Sequence, residues 1–217
     1  GLMGWVLALC LHRLRGMDRK KKIPLLGVLS ATMLVAMNLE ILPLAYHLNL
    51  SAVAGILLGP SLGFVAAFLV NLMLALIGHG GVTVIGLNTL LLGTEAVFGH
   101  VFFFLLPRKL PVFWRAATAT AGALFLVTLL LITIVGLSQS DIDVFLEHDH
   151  AHDAGHEGGR EASLSTFAWM VLGLGALGWI IEAAISGAVI RFLARVRPDL
   201  LAHTLHRVAE ATEEKMS

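Results

Sequence analysis

From His47 to Asn88 the chain is almost continuously apolar, broken only by Gly59-Pro60, Gly78-His79-Gly80-Gly81 and Gly86-Leu87-Asn88. Such a stretch leaves few folding options. About 20 apolar residues in a helix cross roughly 30 Å of hydrocarbon, and only helices or closed barrels satisfy every backbone group there. Apolar runs at 23–46, 48–77, 82–106, 112–137 and 164–193 carry the pattern over most of the sequence. With 57% hydrophobic and 14% charged residues among 217, the chain is expected to be all-α, a polytopic membrane helix bundle. A single cysteine, Cys10, excludes an internal disulfide and a multi-cysteine metal cage, and reads as a small apolar helix residue.

Charge segregation sets the topology. Lys and Arg cluster at 13–22, 108–115 and 191–197, whereas seven acids fall between Asp141 and Glu161. If 48–77 were one helix, three crossings would separate the first two basic clusters and place them on opposite faces, against the positive-inside tendency. A short helix over 48–58 that turns at Gly59-Pro60 into a second helix over 61–77 makes four crossings and puts every basic cluster inside. The acidic segment 138–163 is then an external loop, 1–197 is the membrane-embedded domain and 198–217 is a polar cytoplasmic tail. The first apolar run ends at Leu11, before His12-Arg13, and is too short to span. It is read as a truncated helix whose start lies upstream of Gly1. The expectation is thus about seven transmembrane helices, the first truncated and the third short, with the N-terminus outside.

A helix over 48–58 covers only about 16 Å at 1.5 Å per residue, so one of its ends must begin inside the protein. Polar groups at membrane depth are costly unless paired or used, which makes them functional candidates. Discontinuous helices of this kind frame transporter sites. On this topology His47 and His79 face one outward pocket, joined by Asn38 and Glu40 near the outer end of the second helix and by Asn88 in the fifth. Imidazole nitrogen supported by amide or carboxylate oxygen suits Ni²⁺, Co²⁺, Zn²⁺ or Cu²⁺ better than Mg²⁺ or Ca²⁺. Taken singly, each histidine also fits an interhelical hydrogen bond, and glycines permit positive φ in any tight turn.

The segment from Lys22-Ile23-Pro24-Leu25-Leu26-Gly27-Val28-Leu29-Ser30-Ala31 through Asn88 resembles the CbiM/NikM type of membrane subunit, the substrate-capture component of energy-coupling-factor (ECF) transporters for cobalt or nickel. The resemblance covers about 70 residues well and the remaining helices loosely. In that family a metal-binding histidine precedes a Gly-Pro helix junction, and His47 has the matching distance to Gly59-Pro60. A Gly-Asp-Gly-Gly turn followed by Gly-x-Asn also recurs there. It corresponds to Gly78-His79-Gly80-Gly81 and Gly86-Leu87-Asn88, with His79 in place of Asp. Family members begin with Met-His, whose nitrogens complete a nearly square-planar site, whereas this sequence begins Gly1-Leu2-Met3.

The tract from Glu147 to Gly159 holds His148, His150, His152 and His156 among carboxylates in Gly/Ala-rich surroundings. It reads as an accessory metal-attracting loop or, more plainly, as a solvated acidic loop. Of the acids in apolar segments, Glu95 and Glu182 lie about 20–25 Å from the outer ends of their helices. They are expected to organise helix packing or meet a partner, and His100 is expected to be structural.

No Gly-x-x-x-x-Gly-Lys-[Ser/Thr] sequence is present, so ATP hydrolysis by that motif must come from elsewhere. The resemblance implies a transmembrane coupling subunit and two ABC ATPases as partners, with a small accessory membrane subunit as an addition. It also implies the plasma membrane of a prokaryote, a link to cobalamin biosynthesis, and Co²⁺ before Ni²⁺ as the transported ion. No cofactor and no nucleic-acid partner are expected. The competing readings are a stand-alone secondary carrier and an intramembrane metalloenzyme, the latter weakened by the lack of a His-Glu-x-x-His pair.

Overall fold

The computed structural model describes residues 2–13, 19–38, 40–41, 46–78, 84–146 and 157–201. Seven helices run through them: α1 (Leu2–Arg13), α2 (Arg19–Asn38), α3 (Ser51–Leu58), α4 (Pro60–Ile77), α5 (Ile85–Leu105), α6 (Val112–Leu146) and α7 (Glu157–Val196). Two two-residue strands, β1 (Glu40–Ile41) and β2 (Tyr46–His47), pair antiparallel between α2 and α3, so that Glu40 stands opposite His47. Four helices are long and apolar enough to cross a membrane: Pro60–Ile77, Ile85–Leu105, Val112–Ser138 and Val171–Val196. The chain is an all-α polytopic bundle, with the third helix short as expected.

The break between α3 and α4 follows from two residues. Gly59 adopts φ 91°, a conformation that a side chain would oppose, and its N–H closes α3 on the carbonyl of Gly55 at 2.9 Å. Pro60 then occupies the first turn of α4, where its missing N–H costs nothing. At the far end of α4, Gly78 is left-handed at φ 86° and donates back to Leu74 and Ala75.

All eight residues of α3 are buried. With only 8 residues it is about 12 Å long, and it lies against α2, α4, α5, α6 and α7. Small residues make the contact with α5 close. A Cβ on Gly55 would land on the carbonyl of Ala96, 2.6 Å from its carbon, and one on Gly99 would sit 2.8 Å from the Cβ of Ala52. Gly63 of α4 faces the same seam, its added Cβ 2.9 Å from the Cα of Gly55. In a bilayer, where apolar lipid replaces water, close backbone approach of this kind is a main source of helix association.

The C-terminal end of α3 shares one end of the bundle with the basic segments. Lys22 Nζ of α2 donates to the Leu58 carbonyl at 3.3 Å, placing a cation at the negative end of the helix dipole. Arg115 of α6 donates to the Phe103 carbonyl at 2.7 Å and covers the Phe103 ring at 4.3 Å. Leu58, Phe103, Ala116, Ile190 and Leu201 belong to one apolar cluster there.

Two expectations are corrected. The run 23–46 is not one helix: α2 stops at Asn38, and Glu40 lies in a strand rather than at a helix end. Pro43, which lacks an N–H and disfavours helical backbone in the residue before it, would stop a helix short of 46, and α2 ends earlier still. Nor is 138–163 a loop throughout, because α6 continues to Leu146 and α7 begins at Glu157. Polar residues mark where the chain leaves hydrocarbon, but a nucleated helix propagates through them at little cost.

Candidate functional site

The short helix begins deep in the bundle. Asn49, just before α3, donates from Nδ2 to Glu95 Oε2 at 2.7 Å, and Glu95 lies about 15 Å along α5 from its start at Ile85. The Leu50 N–H donates to Glu182 Oε1 at 3.2 Å, and Glu182 stands a similar distance into the apolar part of α7. The first N–H groups of any helix lack partners within it, and no water is at hand in hydrocarbon. Here Asn49 Oδ1 accepts from the Ser51 N–H at 2.6 Å while Glu182 takes the Leu50 N–H. Two carboxylates therefore meet the positive end of the α3 dipole, and Lys22 meets the negative end. Glu95 and Glu182 thus tie α5 and α7 to the start of α3, at about 15 Å along their apolar spans rather than the 20–25 Å expected.

Leu50 carries the cost of this entry. Its φ of 55° is left-handed, which a branched apolar residue adopts at a penalty of about 1–2 kcal/mol. Strain of this sort persists only where surrounding contacts fix it, and it clusters at functional sites. His47 lies three residues earlier and is exposed.

Beside the entry is a cavity of about 240 Å³ lined by Asn49, Asn88, Leu91, Leu92, Glu95, Leu124, Val127 and Thr128. The α5 contributors Asn88, Leu91, Leu92 and Glu95 fall at i, i+3, i+4 and i+7, one helical face. Leu124, Val127 and Thr128 repeat the spacing on α6. Asn88 is exposed at one end of this face, and Glu95 is 1% exposed at the other.

The structure brings some of the expected residues together and not others. His47 and Glu40 are register partners. Asn88 shares the cavity with Asn49, two residues from His47. Asn38 is exposed, and its Nδ2 donates to the carbonyl of Leu34 at 2.7 Å, one turn back in its own helix. His79 and the loop residues His148, His150, His152 and His156 lie outside the described residues, as does the side chain of Glu40. Among the described residues no three His, Cys, Asp or Glu side chains gather as a metal cluster. His100 is structural in its contacts, with Nδ1 3.0 Å from the Gly55 carbonyl and its ring 4.5 Å from that of Phe104. Asn49 was not singled out by sequence reasoning. An asparagine two residues before an apolar helix is a capping signal, and at membrane depth it is also a polar group needing a use.

A polytopic helix bundle with a short helix that starts midway along its candidate spans, and polar groups gathered at that start, has the construction of a membrane transport component. Comparison with known proteins specifies which. The chain belongs to the CbiM family, described as the cobalt uptake substrate-specific transmembrane region, whose family model matches residues 1–200. It is 31% identical over 186 residues to a protein of Haloquadratum walsbyi named as a candidate metal transport protein, a match covering 83% of this chain and 76% of that relative. No solved structure matches the chain. The protein is a multi-pass membrane component of cobalt uptake, a transport component rather than an enzyme.

Proposed function

We propose that this chain is the substrate-binding membrane subunit of an ECF-type ABC importer in a prokaryotic plasma membrane, taking Co²⁺ first and Ni²⁺ second. It captures the metal outside through His47, with His79, Asn88, Glu40 and Asn38 around the same pocket, and releases it inside. A transmembrane coupling subunit and two ABC ATPases supply the energy, and a small accessory membrane subunit can complete the assembly. The observation that carries this reading is the start of α3 beside Glu95 and Glu182, midway along two candidate membrane spans, with His47 exposed just ahead of it and opposite Glu40.

On this reading the basic end of the bundle, with Lys22 and Arg115, is cytoplasmic. The tract carrying His148, His150, His152 and His156 is then external and raises the local metal concentration. Imidazole at the entry favours a borderline transition ion over Mg²⁺ or Ca²⁺. The test is Co²⁺ uptake by cells carrying this chain with and without the coupling subunit and ATPases. Uptake that needs the partners and stops with an ATPase-inactive variant supports the proposal. Full uptake by the chain alone would identify a stand-alone secondary carrier instead.

A further inference from the structure

The basic end of the bundle carries positive charge that its own helices do not answer. The Leu110 N–H closes a turn on the Pro107 carbonyl at 3.1 Å, which sets Arg108 and Lys109 at the exposed tip between α5 and α6. Arg108 is within electrostatic reach of the buried Arg115, whose Nη2 already goes to the Phe103 carbonyl. The last turns of α7 add the exposed Arg191 and Arg195. They share this rim because Gly187 packs on Phe113, its added Cβ 2.9 Å from the Phe113 carbonyl oxygen. Arg191 follows one turn later, level with the start of α6. No Asp or Glu occurs between Glu95 and Asp141 or between Glu182 and Asp199. Asp199 itself is held by Arg197 at 3.1 Å.

Apolar side chains stand among these cations. Trp114 is 59% exposed in the first turn of the span Val112–Ser138, and Phe192 is 60% exposed near the end of the span Val171–Val196. A large apolar side chain exposed at the end of a span faces lipid, and tryptophan there sits at headgroup level. The rim is therefore cationic and apolar at once, and it is turned sideways to the bilayer.

We propose that this rim binds an anionic phospholipid, whose phosphate lies among Arg108, Lys109 and Arg191 while its acyl chains run past Trp114 and Phe192. Basic groups clustered at the ends of transmembrane helices attract acidic headgroups. The apolar neighbours decide for lipid over an acidic protein surface, because a phospholipid supplies phosphate and hydrocarbon in one molecule. Free phosphate supplies only the anion and gains nothing from Trp114 or Phe192. A lipid held between the ends of α6 and α7 would fix their depth in the bilayer, whichever metal the chain carries.

The test is lipid binding to the purified full-length chain in neutral detergent, read by native mass spectrometry with phosphatidylglycerol or phosphatidylcholine of the same acyl chains. The parent should bind phosphatidylglycerol at least about tenfold more tightly, and added salt should shrink the difference. Arg108→Gln and Arg191→Gln should each lose roughly fivefold, the share of one basic residue near an anionic surface. Their melting temperatures should stay at the parent value, because both side chains are exposed. Arg191→Lys keeps the charge and should keep most of the preference. Inorganic phosphate at the same concentration should not displace the lipid. Equal affinity of the parent for the two lipids overturns the proposal and leaves the rim to an acidic protein partner. A preference unaltered in both Gln variants, or abolished by inorganic phosphate, overturns it as well.

Discussion

Gly55→Ala tests whether the α3–α5 seam sets the geometry of the site. The new Cβ would lie 2.6 Å from the carbonyl carbon of Ala96 and 2.9 Å from its Cα, both backbone atoms that cannot rotate away. Carbon contacts are comfortable at about 3.5–4.0 Å, and the Ala96 carbonyl oxygen is nearer still, so α3 and α5 must separate by more than about 1 Å. Overpacking of this order costs roughly 1–3 kcal/mol. Two hydrogen bonds cross the same seam, His100 Nδ1 with the Gly55 carbonyl and Asn49 with Glu95. Weakening both adds about 1 kcal/mol each, for a total of roughly 3–5 kcal/mol. Gly27 of α2 provides the control, because an added Cβ there meets nothing within 4 Å. Thermal unfolding of the detergent-purified protein should show a large loss for Gly55→Ala and little change for Gly27→Ala. Equal stability of the two variants would refute the close-packed seam.

Glu182→Leu leaves the buried Leu50 N–H without its acceptor, a loss of about 1–3 kcal/mol, whereas Glu182→Gln keeps an acceptor oxygen and should melt closer to the parent. Cysteines introduced at positions 152 and 20 should label from outside and from inside respectively. Labelling of both from one side contradicts the orientation. Replacing His148, His150, His152 and His156 together by Ala should slow uptake at scarce metal and leave it nearly intact at abundant metal. Loss of transport at saturating metal, in folded protein, would make the tract an obligatory part of the path.

The helix count was legible because one dipeptide decides it. Gly59-Pro60 in an apolar run, set against the parity of the basic clusters, divides what hydropathy alone would read as one span, and the structure breaks the helix at that point. That one helix does not run to 46 was legible through Pro43, but the end of α2 at Asn38 was masked by the apolarity of residues 39–46, since hydropathy does not distinguish helix from strand. The ends of α6 and α7 were less accessible, because helical backbone continues past the apolar boundary. Within the site, His47 and Asn88 stood out as polar groups in greasy surroundings. Asn49 did not, and its role depends on Glu95, 46 residues away, and on a strained Leu50 that no local pattern marks. Long-range pairing across three helices is tertiary information, so Glu95 and Glu182 could be placed by depth but not paired with the α3 entry.

The central claim is that His47, ahead of a helix that begins in mid-membrane, captures the metal. Co²⁺ binding to the purified full-length protein, compared between His47→Ala and His100→Ala, tests it most directly. His47→Ala should lose Co²⁺ capture while inserting and assembling normally, and His100→Ala, whose contacts are to the Gly55 carbonyl and Phe104, should keep it in the fraction that folds. Unaltered Co²⁺ affinity in the His47 variant, or loss in the His100 variant alone, would contradict the account.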